Sequence, residues 1–130
     1  GGKTGVQKEA NTGFSADAYW WTEGKPGDKA EFLIEPTGGK VDAEGKFIVP
    51  QFELWVNFAK TPDGARVQIY IDGTKAGEPI NLYAPKPSAT GEISLGRGGN
   101  RLLIEFIDAD EKAQKPLKFG LDYIKAEKLR

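Results

Sequence analysis

The sequence predicts an all-β fold: one antiparallel β-sandwich of the jelly-roll kind, with little or no helix. Three observations carry this. Apolar residues alternate with period two, most cleanly over 51–59, 66–72 and 101–107, and that period places alternate side chains on one sheet face. Turn signals recur roughly every 8–12 positions, the spacing of a sandwich of short strands. No segment holds an i, i+3, i+4, i+7 apolar stripe over three turns, which a substantial helix needs.

The elements follow in order. Residues 1–18 are polar and glycine-rich apart from Val6 and Phe14 and read as an edge or loop ahead of a sandwich over 19–130. Trp20 and Trp21 are adjacent, so on a strand they point to opposite faces, one to the core and one outward; the residues do not say which. Pro26-Gly27 marks a turn into a strand at 30–35 with Phe32 and Ile34 on one face. Three glycines, a proline and four charges make 36–46 a mobile loop, and 47–49 starts a strand that Pro50 limits to an edge or bulge. In 51–59, Phe52, Leu54, Val56 and Phe58 face one way and Glu53, Trp55 and Asn57 the other. Thr61-Pro62-Asp63-Gly64 reads as a tight turn. The returning strand 66–72 turns Val67, Ile69 and Ile71 inward and Arg66, Gln68 and Tyr70 outward, and Asp72-Gly73 ends it. Short strands at 79–83 and 92–95, a glycine-rich connection at 96–100, a strong strand at 101–107, a charged loop at 108–117 and a last strand at 117–127 complete the chain.

Composition removes most catalytic chemistry. The 130 residues contain no cysteine and no histidine, which excludes disulfides, thiolate nucleophiles, Cys-type zinc sites and any Ser-His-Asp triad. The net charge is −1, so no basic field attracts nucleic acid. No apolar run approaches the ~18 residues of a membrane helix, and membrane insertion is not expected. No signal peptide is visible and position 1 is not Met, so the chain reads as a mature or excised fragment, in which a removed export signal would leave no trace.

Motifs at both ends resemble a known group. Trp20-Trp21 followed by Gly24-Lys25-Pro26-Gly27-Asp28, then Tyr70-Ile71-Asp72-Gly73, then 77–86, then Gly120-Leu121-Asp122-Tyr123-Ile124 resemble the galactose-binding-like and carbohydrate-binding β-sandwich modules of bacterial polysaccharide-degrading proteins. They are similar to the jelly-roll domain that accompanies DUF2961-type glycoside hydrolases. The resemblance covers 19–127. It implies a non-catalytic accessory module, secreted, periplasmic or at the cell surface, with an oligosaccharide or polysaccharide as partner; catalytic residues would lie elsewhere in the parent protein. The loop at 36–46 departs from the pattern. The alternative is a structural or oligomerisation module whose aromatics pack on another domain or subunit.

The residues supply a candidate site. If 51–59 and 66–72 form a hairpin with Val56 facing Ile69, then Trp55 lies opposite Tyr70 and Asn57 opposite Gln68, with Glu53 and Arg66 on the same outward face. Flat rings beside carboxylate, amide and guanidinium groups suit a sugar, whose C–H face stacks while its hydroxyls form hydrogen bonds. The bland reading is a cross-strand aromatic pair that stabilises the sheet. Tyr83 is a further exposed aromatic. Asp28 and Asp122 are metal-ligand candidates: in modules like those resembled, an acid near the last strand helps hold a structural calcium, an ion that prefers carboxylate and carbonyl oxygens. Asp108 and Asp110 form a second oxygen-rich corner, and turn capping by Asp is the commoner role.

Overall fold

A computed structural model describes residues 3–9, 14–15, 18–33, 40–41, 43–45, 47–48, 52–99 and 101–128. The strands are β1 (Thr4–Lys8), β2 (Ala18–Glu23), β3 (Lys29–Leu33), β4 (Lys40–Val41), β5 (Phe47–Ile48), β6 (Phe52–Lys60), β7 (Arg66–Ile71), β8 (Thr74–Lys75), β9 (Ile80–Asn81), β10 (Ser88–Gly98), β11 (Arg101–Asp108) and β12 (Lys118–Lys128). Among the described residues there is no α-helix, and none is long and apolar enough to cross a membrane.

Two antiparallel sheets form the sandwich. The first has the order β1-β2-β12-β6-β10; the second has β3-β11-β7-β8, with β9 also paired to β7. The predicted inward residues meet between them. Leu54, Val56 and Phe58 of the first sheet are fully buried, as are Val67, Leu102 and Ile104 of the second. Phe119 on β12 joins the layers, its ring centroid 5.7 Å from Trp20, 6.3 Å from Phe58 and 5.4 Å from Phe106. Each such side chain adds about 1.5–3 kcal/mol of burial energy, which is why period-two alternation sets the facing of every long strand.

One pairing differs from expectation. β6 and β7 do not form a hairpin: β6 lies between β10 and β12, whereas β7 lies beside β11, β8 and β9. Residues 61–65 cross from one sheet to the other. Thr61 N–H donates to Leu82 O at 2.9 Å, Ala65 N–H to Lys118 O at 2.8 Å and Leu82 N–H to Ala65 O at 3.0 Å, so the arch is held by chain from both sheets.

Other segments depart by a few residues. Part of the expected loop at 36–46 is paired, since β4 and β5 form a two-stranded ribbon with Lys40 opposite Ile48. β10 runs well beyond 92–95, with irregularities between Ala89 and Glu92 and between Ser94 and Gly96. β1 is the edge strand of the first sheet, paired with β2. Ile34, Val49, Pro50 and Asn100 lie outside the described residues.

Candidate functional site

Because β6 and β7 belong to different sheets, the six residues proposed as one platform separate. Glu53, Trp55 and Asn57 stand on the outer face of the first sheet; Arg66, Gln68 and Tyr70 belong to the second, with the core between. Two of them are not free surface. Gln68 is buried at 4% exposure, because its Nε2 donates to Ile69 O at 3.0 Å and to Gly77 O at 3.1 Å and the chain after β8 covers it. Asn57 is equally buried, with Nδ2 donating to Asp122 Oδ2 at 2.9 Å. Its Oδ1 has no partner among the described residues.

Trp55 keeps a different set of neighbours. It lies between Lys125 of β12 and Ser94 of β10, with the Lys125 ammonium 4.7 Å from its ring centroid. One step along, Tyr123 and Glu92 flank Asn57. Tyr123 O–H donates to Glu92 Oε2 at 2.6 Å, and Lys125 Nζ approaches Oε1 at 3.4 Å. The tyrosine bond, with help from Lys125, holds the Glu92 carboxyl below its usual range. The same bond pushes the Tyr123 hydroxyl up to about 12. On the other side Arg97 reaches Glu53 at 3.8 Å. The result is an indole and a phenol on one outer face, set among paired charges of both signs.

Tyr123 is the residue the hairpin reading missed. A register shift between Leu121 and Tyr123 turns both Asp122 and Tyr123 outward. The sequence carried a sign of it: Leu117, Phe119 and Leu121 are apolar at odd positions, then Ile124 and Ala126 at even ones. Such a phase change is what a β-bulge produces.

On the second sheet Tyr70 borders a trough of about 360 Å³ with Glu31, Asp72, Arg101, Leu103 and Glu105. Tyr70 O–H pairs there with Glu105 at 3.0 Å and Arg101 with Glu31 at 2.8 Å, and Lys29 also lines the trough. Arg66, at the far end of β7, is bonded to Asp108 and draws that carboxyl below its usual range. Tyr83 is half-buried beside the arch, in a bridge to Thr61.

The two metal candidates are not brought together. Asp28 Oδ2 accepts from Lys25 N–H at 2.9 Å within the β2–β3 turn. Asp122 accepts from Ser15 N–H at 2.9 Å and from Asn57. Both carboxylates therefore face N–H donors, which suits capping rather than a shared cation. No group of three or more His, Cys, Asp or Glu suited to a metal occurs among the described residues. The Asp110 carboxylate likewise caps Lys112 N–H at 3.0 Å.

The tryptophan pair is now resolved. Trp20 packs inward against Phe32 and Phe119, and Trp21 faces out on the same surface as Trp55. It borders a pocket of about 160 Å³ with Tyr19, Gln7, Asp63, Gln114 and Lys118. Lys118 Nζ lies 4.2 Å from the Trp21 ring centroid and 3.3 Å from Asp63 Oδ2.

With this geometry in place, known structures can be set beside it. Part of the xanthan lyase of Paenibacillus superposes with a TM-score of 0.70 at 15% identity, covering 97% of this chain and 12% of that enzyme. The fold is shared. The chain spans only that small fraction of the enzyme, and at this identity the likeness concerns architecture alone. An exo-β-1,3-galactanase from Phanerochaete chrysosporium, solved with β-1,3-galactotriose, is matched over 98% of this chain and 26% of that one at 12% identity, with a TM-score of 0.39 that carries no argument. No protein-family model and no curated protein sequence matches the chain.

Proposed function

We propose that this domain is a non-catalytic, carbohydrate-binding accessory module of an exported bacterial polysaccharide-processing protein, of the kind its end motifs resemble, and that Trp55 is its sugar platform. The observation that carries the reading is the outer face of the first sheet, where Trp55 and Tyr123 stand among Glu92, Lys125, Glu53 and Arg97. An aromatic face beside fixed donors and acceptors matches the two-sided chemistry of a sugar ring. The fold supports the same reading, since it recurs within an enzyme named for a polysaccharide.

Because the nearby charges pair with one another, binding is largely insensitive to salt.

The test is calorimetric titration of plant and bacterial oligosaccharides into wild type and Trp55→Ala, with sedimentation run in parallel. A glycan that binds wild type and not the folded variant supports the platform. If no glycan binds and Trp55→Ala converts an oligomer into monomers, the face is an assembly surface instead.

A further inference from the structure

We propose that the pocket around Trp21 is a second carbohydrate-binding site, one that takes a single neutral sugar ring, free or at the end of a chain. The inference rests on the reading of the domain as a carbohydrate binder, but on different residues.

Size comes first. At about 160 Å³ the pocket is smaller than the ~300–1,000 Å³ that encloses a drug-sized ligand, so it holds one ring rather than an oligosaccharide. Pro62 and Pro87 bound it, which favours a terminal ring over one in mid-chain.

Two glycines lie against its aromatic rings. A Cβ at Gly5 would lie 2.8 Å from the Trp21 ring, and one at Gly120 would lie 2.8 Å from the Tyr19 ring. Glycine at both positions lets these rings lie close against the strands. Gln7, Gln114 and Tyr19 supply polar side chains to its lining, and burial, with Asp63 and Glu9 nearby, pushes the Tyr19 hydroxyl up to about 12.

Charge selects the ligand class. Asp63 and Lys118 are the charged residues lining the pocket, and they already pair. Neither leaves a net charge for a ligand, so a uronate gains nothing over a neutral ring. Lys118 lies over the indole, and a stacking sugar displaces it toward Asp63.

The site is separate from the Trp55 platform. Trp21 is aligned with Gly120, Gly120 with Ala59, and Trp55 lies four residues along β6 from Ala59. Strand geometry puts the two tryptophans roughly 16 Å apart on one face, too far to share a ring.

The experiment follows the three tryptophan indole N–H signals of the full 130-residue chain by nitrogen-15 NMR. The probes are the methyl glycosides of glucose, galactose, mannose and xylose, with glucuronic acid as the charged comparison and oligosaccharides as the Trp55 ligand. The expected result is that at least one neutral glycoside shifts the Trp21 signal equally in wild type and Trp55→Ala, and that Trp21→Ala abolishes the binding. Gln114→Ala, an exposed side chain whose removal spares the fold, weakens it about two- to tenfold for one lost hydrogen bond. The inference is overturned if no glycoside moves Trp21 while an oligosaccharide moves Trp55, a result that leaves the platform reading standing. It is also overturned if Gln114→Ala binds like wild type, if glucuronic acid alone binds, or if the Trp21 response vanishes in Trp55→Ala. Silence at both tryptophans removes both readings together.

Discussion

Gly64 tests the crossing between the sheets more sharply than any core residue. A Cβ built there would lie 1.8 Å from Leu82 O and 2.4 Å from Leu82 C, both backbone atoms. No flexible side chain can swing away, so the arch itself must move. Thr61 N–H→Leu82 O, Leu82 N–H→Ala65 O and Ala65 N–H→Lys118 O all converge on this point. Overpacking costs about 1–3 kcal/mol, and weakening two of these bonds adds ~1 kcal/mol each. Gly64→Ala therefore loses ~3–5 kcal/mol, a large share of the ~5–15 kcal/mol that holds a domain together. Gly64→Asn separates arch from hairpin. At the tip of an exposed turn Asn is a mild substitute for Gly, whereas against the Leu82 carbonyl it is at least as damaging as Ala. Gly27→Ala is the control: it has φ +95° and open space around it, so it pays only for backbone strain, ~1 kcal/mol. Urea denaturation ranks the three. If Gly64→Asn stays within 1 kcal/mol of wild type (roughly the scatter of such fits), residues 61–65 do not cross as described.

Three further outcomes follow from the structure. Phe106 is 2% exposed, so Phe106→Ala loses ~3–5 kcal/mol and Trp55→Ala clearly less; the reverse order in denaturation would mean that β6 faces the wrong way. Tyr19 and Tyr123 both lie near 12 and the Glu105 bond raises Tyr70 as well, so ultraviolet titration of the native protein shows three of its four tyrosines ionising above the ~10 of the unfolded chain. Their raised values contribute stability that is present below pH ~10 and lost as pH rises toward 12, and a single tyrosine step near 10 would refute these environments. The Arg66 hydrogen bond depresses the Asp108 pKa, so its contribution is present above about pH 4 and lost as pH falls through the lower folded value. Arg66→Ala accordingly makes the acid limb shallower, by a small amount because the pair is exposed, and an unchanged limb argues against the bond.

Much of the fold was legible in the sequence because facing is a local property. Phe52, Leu54, Val56 and Phe58 announce their face by spacing alone, and each is buried. Pairing is not local. Thr61-Pro62-Asp63-Gly64 has the composition of a hairpin turn whether the next strand returns beside β6 or crosses to the other sheet, and only Leu82 and Lys118, far along the chain, decide it. Burial of polar side chains failed for the same reason. Asn57 is covered through Asp122, which lies 65 residues away, and Gln68 through Gly77. The candidate site is thus legible only in part: spacing turns Trp55 outward, whereas Tyr70 lies on the other sheet and Tyr123 reaches the face of Trp55 through a bulge.

The place of β12 has a consequence for how the protein is made. β12 lies between β2 and β6, so both have an open edge until residues 118–128 have been made. Open strand edges invite pairing with other chains, and domains assembled late from distant segments stay exposed to that hazard longest. A chain cut after residue 117 would keep most of its core-forming residues and still have no way to close the first sheet. It would collect in aggregates rather than as a smaller folded domain.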